Sequence, residues 1–421
     1  MKRFFPFLIW FATLPVGAQT LGECQEAAEQ NYPLIQRYGI IQQTAGLTIE
    51  NIGKGWYPQV KATAQVTAQN RVVELPEAIR GMMEAQGVDV RGLSKVQSRV
   101  GVDATQLIYD GGRISSQQEV ARRQAEVEIR QNETDIYQVR QRVNDLYFGL
   151  LLVDDKLLQN ETTAELLRAS EEKLQAMYDH GTAALYDLNA VKTERVRCKQ
   201  QRTDLLAQRR SLATVLSVLI GKEVGTISRP EKPLATSATE NNRPELRLFD
   251  SQIALANAQE RQLNAARRPV VSAFVSGYYG YPGYDMYHDM LSRNWSLNGT
   301  VGVRVSWDLG WLWTDKNDRK KIALQRDLAE NNRATFLFNN RIEQIQETDE
   351  AEKYRKMLTD DEEILQLRTQ MRRAAESKLD HGIIAVNDLV KDIANESDAR
   401  TTLSLHEIQY LKHLYDLKIK K

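Results

Sequence analysis

The sequence is poor in most of what builds an enzyme or a disulfide scaffold. It has two cysteines, Cys24 and Cys198, in 421 residues, too few for a disulfide framework. Its five histidines nowhere combine with a third ligand at metal-site spacing, so neither metal nor cofactor is expected. There is no Gly-rich phosphate loop and no nucleophile–base arrangement, and the chain does not read as an enzyme. Net charge is zero, which argues against a nucleic-acid partner. After the first 18 residues no apolar run approaches the roughly 20 residues that a membrane helix needs. Pro (10) and Gly (23) are scarce and clustered. Between the clusters run long stretches rich in Gln, Glu, Arg, Ala and Leu, the composition of long helices.

What is present begins with a secretory pattern. Lys2-Arg3 precede an apolar run from Phe4 to Leu14, and Val16-Gly17-Ala18 supply small residues. Residues 1–18 are therefore expected to be a signal peptide cleaved after Ala18, with the mature protein leaving the cytoplasm. Leu21-Gly22-Glu23 before Cys24 match a lipid-attachment site poorly, so no lipid anchor is expected.

One stretch occurs twice. Tyr178-Asp179-His180-Gly181 is followed by Leu185, Asp187 and Leu188; Leu379-Asp380-His381-Gly382 by Val386, Asp388 and Leu389, at a constant offset of 201. Each copy separates two helix-like segments, and Gly suits the left-handed residue that ends a helix. The copies thus read as tips of two long helical hairpins in a duplicated chain. They serve either as docking or gating ends or as plain structural turns. His180 and His381 as metal ligands are the weakest reading, for want of a third ligand.

The order of the chain supports duplication. A helical pattern from Leu21 to about Asn51 breaks at Asn31-Tyr32-Pro33 and ends before Trp56-Tyr57-Pro58. The period then switches to two: Val60, Ala62, Ala64, Val66 and Ala68 alternate with polar residues, as in a strand with one apolar face. Residues 70–97 read as a polar loop with a short helix. Val100, Val102 and Ala104 mark a second strand, which ends at Tyr109-Asp110-Gly111-Gly112. From Arg113 to Tyr178 there is no Pro and Gly149 is the only Gly. A helix of that length spans about 100 Å and needs coiled-coil partners. Pro33 and Pro244 differ by 211, as do Pro58 and Pro269; Asp308 and Gly310 repeat Asp110 and Gly112 at 198. Strand three runs from Val270 to Tyr279. Strand four alternates Leu297, Gly299, Val301, Val303 and Val305 with Asn298, Thr300, Gly302, Arg304 and Ser306.

Amphipathic strands about ten residues long in a secreted chain fit a transmembrane β-barrel. The aromatic residues agree. Trp56, Tyr57, Tyr109, Trp307, Trp311 and Trp313 lie toward the helix-proximal strand ends, and Tyr278, Tyr279, Tyr281, Tyr284, Tyr287 and Trp295 toward the far ends. Two such belts flanking an apolar band suit a bilayer. Trp295 to Trp307 spans roughly 30 Å of height at a tilt of about 40°. Four strands cannot close a barrel. A dimer's eight would be filled by side chains, whereas three chains supply twelve and leave a channel.

With these motifs in this order, twice, the chain resembles the TolC-like outer-membrane efflux proteins. Arg243-Pro244-Glu245-Leu246 opening a helix, Pro58 and Pro269 at helix-to-strand junctions, Tyr109-Asp110-Gly111-Gly112-Arg113, and the repeated tips carry the resemblance. It implies a mainly α fold with a small transmembrane β part. Long antiparallel coiled-coil hairpins would form a periplasmic tunnel, and four strands per chain a trimeric 12-stranded β-barrel, with an internal two-fold repeat. It implies a homotrimeric exit duct in outer-membrane lipid, joined by a periplasmic adaptor to an inner-membrane transporter, in efflux or type I secretion. Asp388 falls where such channels carry acidic rings, and Asp187 where a carboxylate ties neighbouring hairpins; Asp179, His180, Gly181, Asp380, His381 and Gly382 form the adaptor-docking tips. Leu379, Ile384 and Lys391 depart from the family's gate residues.

The expected layout is a signal peptide (1–18), N-terminal helices (19–56), a first β-hairpin (57–110), a first long helical hairpin (111–221) and an equatorial linker (222–243). A helix (244–268), a second β-hairpin (269–310) and a second long helical hairpin (311–421) follow. The main alternative is a periplasmic adaptor, which needs one hairpin between split β domains rather than two hairpins and four amphipathic strands. Both thiols are expected to stay unpaired, Cys198 well along the first hairpin and Cys24 near the equator.

Overall fold

The computed structural model describes residues 18–233 and 241–421. The expected signal peptide up to residue 17, and residues 234–240 of the expected linker, lie outside the described residues. In chain order the elements are α1 (Leu21–Asn31), α2 (Leu34–Gly53), β1 (Gln59–Ala68), α3 (Glu77–Ala85), β2 (Val96–Tyr109), α4 (Arg113–Asp179), α5 (Leu185–Ile220), α6 (Pro244–Ala266), β3 (Val270–Tyr281), α7 (Met286–Ser292), β4 (Ser296–Ser306), α8 (Trp311–Asp380) and α9 (Val386–Ile419). The short helix within the polar stretch is α3. β2 starts at Val96, four residues ahead of the alternation that marks it in sequence.

Local chemistry sets the boundaries. At α1, Glu23 N–H donates to Thr20 Oγ1 and Thr20 N–H to the Glu23 carboxylate, at 3.3 and 2.9 Å. This reciprocal pair satisfies two of the donors left free at a helix start. At α4, both Asp110 carboxylate oxygens accept backbone N–H groups, from Gly112 at 2.8 Å and Ile114 at 2.7 Å. Asp308 accepts from Gly310 N–H at 2.8 Å in the second repeat. The repeated Asp-x-Gly is therefore a cap that turns a strand into a helix.

The chain forms two compact units. The first comprises the residues up to Tyr38, Arg130–Leu248 and Asn332–Lys421; the second comprises Gly39–Ile129 and Phe249–Asn331.

The first unit holds the hairpin tips and two apolar clusters. In one cluster Leu21, Cys24 and Ala28 of α1 pack on Val143, Tyr147, Phe148 and Leu150 of α4 and on Leu216 and Ile220 of α5. Tyr147 is fully buried and its hydroxyl lies 2.8 Å from Gln19 O and 2.6 Å from Ser228 O. It thereby pins the start of α1 and the segment after α5, which also pair as Gln19–Ile227. In the other cluster Leu167 and Leu174 of α4, Leu188, Val191 and Cys198 of α5, Ala375 and Leu379 of α8, and Val386, Leu389 and Ile393 of α9 converge. That cluster joins the two hairpins next to their tips.

The Arg243-Pro244-Glu245 motif also belongs to this unit. The Arg243 guanidinium pairs with Glu245 and lies 5.4 Å from the Tyr137 ring and 5.2 Å from the Phe336 ring. The motif is thus a clamp that a planar cation makes between two aromatic faces.

The second unit is built on the four strands. At their helix-proximal end, Arg113 donates to Ala266 O at 2.8 Å and Arg268 to Gly111 O at 3.3 Å. The starts of α4 and β3 are therefore tied together at the first Asp-x-Gly cap.

The thiols of Cys24 and Cys198 are buried, free and in different clusters. Burial, reinforced by Glu23, pushes the Cys24 thiol up to about 11, so little thiolate exists near neutral pH. Maleimide applied to folded protein is expected to label neither residue, and both are expected to react after denaturation. Mass spectrometry would show this; rapid labelling of native Cys24 would contradict its place in the core.

Candidate functional site: sheet faces and hairpin tips

The strands form one antiparallel sheet in the order β1-β2-β3-β4. The register aligns side chains across it. Val60–Ala104–Val275–Val301, Ala62–Val102–Gly277–Gly299 and Ala64–Val100–Tyr279–Leu297 are rows on one face. Lys61–Asp103–Ser276–Thr300, Thr63–Gly101–Tyr278–Asn298 and Gln65–Arg99–Gly280–Ser296 are rows on the other. Since side chains alternate with period two, a slip of one residue would mix the faces. The observed pairing keeps one face aliphatic across all four strands.

That aliphatic face is bare in the single chain: Leu297 is 82% exposed, Val301 77% and Val66 73%. A contiguous apolar surface of this kind marks a contact with lipid or with another protein. The opposite face is a polar network. Arg99 donates to the Gln65 side-chain amide oxygen at 2.8 Å and lies over the Tyr278 ring, and Ser276 Oγ donates to Asp103 at 2.5 Å. The Arg304 guanidinium lies 4.8 Å from the Phe274 ring centre. Gly302 leaves room for that ring, since a Cβ there would meet it at 2.9 Å.

The aromatic residues divide as follows. Trp56, Tyr57, Tyr109, Trp307 and Trp311 lie at the helix-proximal strand ends. Trp307 donates its ring N–H to Arg267 O at 2.8 Å, and the Trp311 ring takes the Arg267 guanidinium at 5.2 Å. Tyr279 and Trp295 meet edge-on at 5.3 Å at the far end. Two placements were hidden in the sequence. Tyr278 points to the polar face, beside Arg99. Tyr109 points to the aliphatic face, because pairing shifts between Leu107–Ser272 and Tyr109–Val271. The extra residue, Ile108, is a bulge that turns Tyr109 away from the face Leu107 occupies.

The tips repeat in atomic detail. Thr182 N–H donates to Met177 O and Gly181 N–H to Tyr178 O, at 2.8 and 2.9 Å. Ile383 N–H to Lys378 O and Gly382 N–H to Leu379 O are both 2.9 Å. These are the paired bonds of a Schellman C-cap, with Gly181 at φ 74° and Gly382 at φ 70°. His180 and His381 are the cap residues, and His381 Nδ1 lies 2.7 Å from Ser377 O. Among the described residues no group of three His, Cys, Asp or Glu could hold a metal. Asp179 accepts from Gln175 at 2.9 Å, and Asp380 is the last residue of α8.

Asp187 and Asp388 occupy the same place in the first turns of α5 and α9, three residues after the cap positions Ala184 and Ala385. A carboxylate is favoured there by the helix dipole. Asp388 is exposed while Asp187 is half-buried, and neither carboxylate makes a hydrogen bond or ion pair among the described residues. Leu185, Tyr186 and Ile383 expose apolar side chains around them.

Behind the second tip lies a charge cluster that no sequence motif announces. Glu396 of α9 is buried and pairs with Arg372 of α8 and with Arg400, while Thr369 Oγ1 donates to it at 3.0 Å. Only the contact across helices reveals it, since each residue alone reads as part of a charged helix face.

Residues 25–222 match the family model described as outer membrane efflux protein. No curated protein matches the sequence significantly. Among solved structures the fold is similar to the outer-membrane channel OprN, with a TM-score of 0.68 at 15% identity over 95% of this chain and 89% of that one. It is also similar to the Campylobacter jejuni outer membrane channel CmeC (0.66, 13%, 95% and 85%) and the Vibrio cholerae outer membrane protein VceC (0.65, 14%, 95% and 94%). OprN and CmeC are outer-membrane channels.

Replacing Glu396 with Ala would leave the Arg372 guanidinium, 11% exposed, with Glu376 of its own helix as its one remaining carboxylate among the described residues. A loss of about 2–3 kcal/mol is expected, against about 1–2 kcal/mol for Gly382→Ala, which only strains a left-handed residue. Denaturant titration measures both; equal stability of Glu396→Ala and the parent would show that the cluster does not join α8 to α9.

Proposed function

We propose that this chain, which resembles the TolC-like outer-membrane efflux proteins and shares their fold over 95% of its length, is the exit duct of a tripartite export system. Its place is the outer membrane, with the hairpins in the periplasm. The observation that carries the proposal is the sheet, with one aliphatic face four strands wide and an open edge on each of β1 and β4. Lipid supplies no hydrogen bonds, so those edges must pair with other strands. Three copies close a barrel of twelve strands, with Lys61, Asp103, Arg99, Thr300 and Arg304 toward a water-filled lumen. Trp56, Tyr57, Tyr109, Trp307 and Trp311 then sit at one membrane interface, and Tyr279 and Trp295 at the other.

The tips supply the second half of the reading. Exposed Tyr186 and Ile383 beside the repeated turns offer a surface for a periplasmic adaptor, through which an inner-membrane transporter delivers small molecules. The duct does no chemistry, and the transporter supplies the energy. Asp388, exposed in the first turn of α9, forms a ring of three carboxylates at the narrow end and draws cations. Half-buried Asp187 steadies the neighbouring hairpin, and the segment 222–243 belts the tunnel. An adaptor is the weaker reading, because it leaves a four-stranded aliphatic face without an occupant.

Three measurements test this. Mass determination in mild detergent is expected to give a trimer; a monomer would remove the barrel. Val303→Arg, on the aliphatic face, is expected to cost about 2–4 kcal/mol per subunit near the bilayer midplane and to impair insertion, whereas Ser306→Arg on the lumen face inserts normally. Equal insertion of the two would reverse the face assignment. In planar bilayers Asp388→Asn is expected to weaken cation selectivity and block by multivalent cations, while Asp187→Asn mainly loosens closure. Unchanged selectivity in Asp388→Asn would take that residue out of the pore.

A further inference from the structure

At the end of the sheet away from the long helices, the β1–β2 loop and the residue after α7 enclose a pocket of about 380 Å³. Its charged lining is Arg80, Arg91, Lys95 and Arg293, against the single carboxylate Glu74. We propose that this pocket binds the phosphate groups of an outer-leaflet glycolipid. The proposal rests on the outer-membrane channel reading, which makes this the external end.

The residue beneath the pocket floor has the register of the membrane side of the sheet. Tyr281 pairs with Ser98, and Ser98 with Val66, so Tyr281 shares the aliphatic face. Leu93 and Met290 bury against Tyr281, with Val72 and Leu75 packed on them. Ser94 N–H donates to the Tyr281 hydroxyl at 3.0 Å. Val72, Leu75, Leu93 and Ser94 are also pocket walls. The pocket floor is thus fastened to the outward face, just beyond the Tyr279–Trp295 pair that marks the interface. Phosphate headgroups lie at that height in a bilayer.

The cations are arranged for an anion. Arg293 is held in a left-handed conformation at φ 44°, a strain that a non-glycine residue carries only when its surroundings enforce it. Its Nε and one Nη donate to the carbonyls of Gly92 and Arg91, which fixes the guanidinium in the wall. Arg91 also meets Asp89 at 3.1 Å, and Arg80 meets Glu84 at 3.8 Å. Both of these pairs are solvent-exposed and weak, so an incoming phosphate dianion can take the two guanidiniums over. The Lys95 ammonium has no acceptor among the described residues. Arginines suit phosphate because their forked donors reach two oxygens at once. The aliphatic face beside the pocket accepts acyl chains, which a free phosphate would not use.

The test uses the assembled full-length protein and native mass spectrometry after incubation with diphosphoryl lipid A, with its dephosphorylated form, or with inorganic phosphate as competitor. Wild type is expected to retain the diphosphoryl lipid and not the dephosphorylated one. Arg80→Gln/Lys95→Gln is expected to bind it about tenfold more weakly, and millimolar inorganic phosphate is expected to leave retention unchanged. Equal retention by the double variant, or of the dephosphorylated lipid, would overturn the site. Displacement by inorganic phosphate would make it a site for free anions and overturn the lipid assignment. Trimer mass and conductance of the same double variant in glycolipid-free bilayers are expected to match wild type. A wild type that is not trimeric would sink the channel reading, whereas a conducting trimer that retains no lipid would sink only this site.

Discussion

Unpaired backbone at the two edges of a four-stranded sheet is the constraint from which the rest follows. In water such an edge can be blunted by charge, by a bulge or by a covering loop. Beside an aliphatic face built from rows such as Val60–Ala104–Val275–Val301, it cannot be left open in lipid. On the proposed channel reading, one chain therefore does not complete its own barrel, and the functional unit is an assembly. The bulge at Ile108 belongs to the same logic. It bends the end of β2 and re-aims Tyr109, at the point where the strand hands over to α4.

The helical hairpins solve a different problem. A helix as long as α4 or α8 gains little from propensity alone and depends on packing along an apolar face. The two clusters of the first unit provide that packing, one around Cys24, Tyr147 and Ile220 and the other around Leu188, Ile393 and Leu379. Between the turns and the core the two repeats have diverged. The Schellman bonds are the same in both, while at the offset of 201 the positions of Glu396 and Arg372 hold Arg195 and Glu171, which meet at 2.7 Å with the charges exchanged. The hairpin ends thus share a turn and an ion pair of opposite sense, the second more deeply buried than the first.

The elements of the fold and the candidate tips were legible in the sequence because each is a local matter. Alternation from Val60 to Ala68 and from Leu297 to Val305 records a two-faced strand directly. Gly181 and Gly382 mark left-handed caps, and Asp110 with Gly112 marks a turn whose hydrogen bonds span four residues. Less of the candidate site was legible. Neighbours as close as Tyr278 and Tyr279 read alike as interface aromatics, and only the strand register separates them. Arg243 reads as the first residue of a motif; its purpose, between Tyr137 and Phe336, depends on partners about a hundred residues away on either side.

By itself the sequence determined where helices and strands lie, that the chain is duplicated, and that its strands carry one aliphatic face, since short-range periodicity and capping chemistry settle all three. Only the tertiary structure decided which residues share a row, that the bulge sends Tyr109 to the aliphatic face, that Glu396 is buried between two arginines, and that four cations gather around one pocket at the sheet's far end. These depend on pairing between segments up to about 200 residues apart, for which no local pattern carries the register.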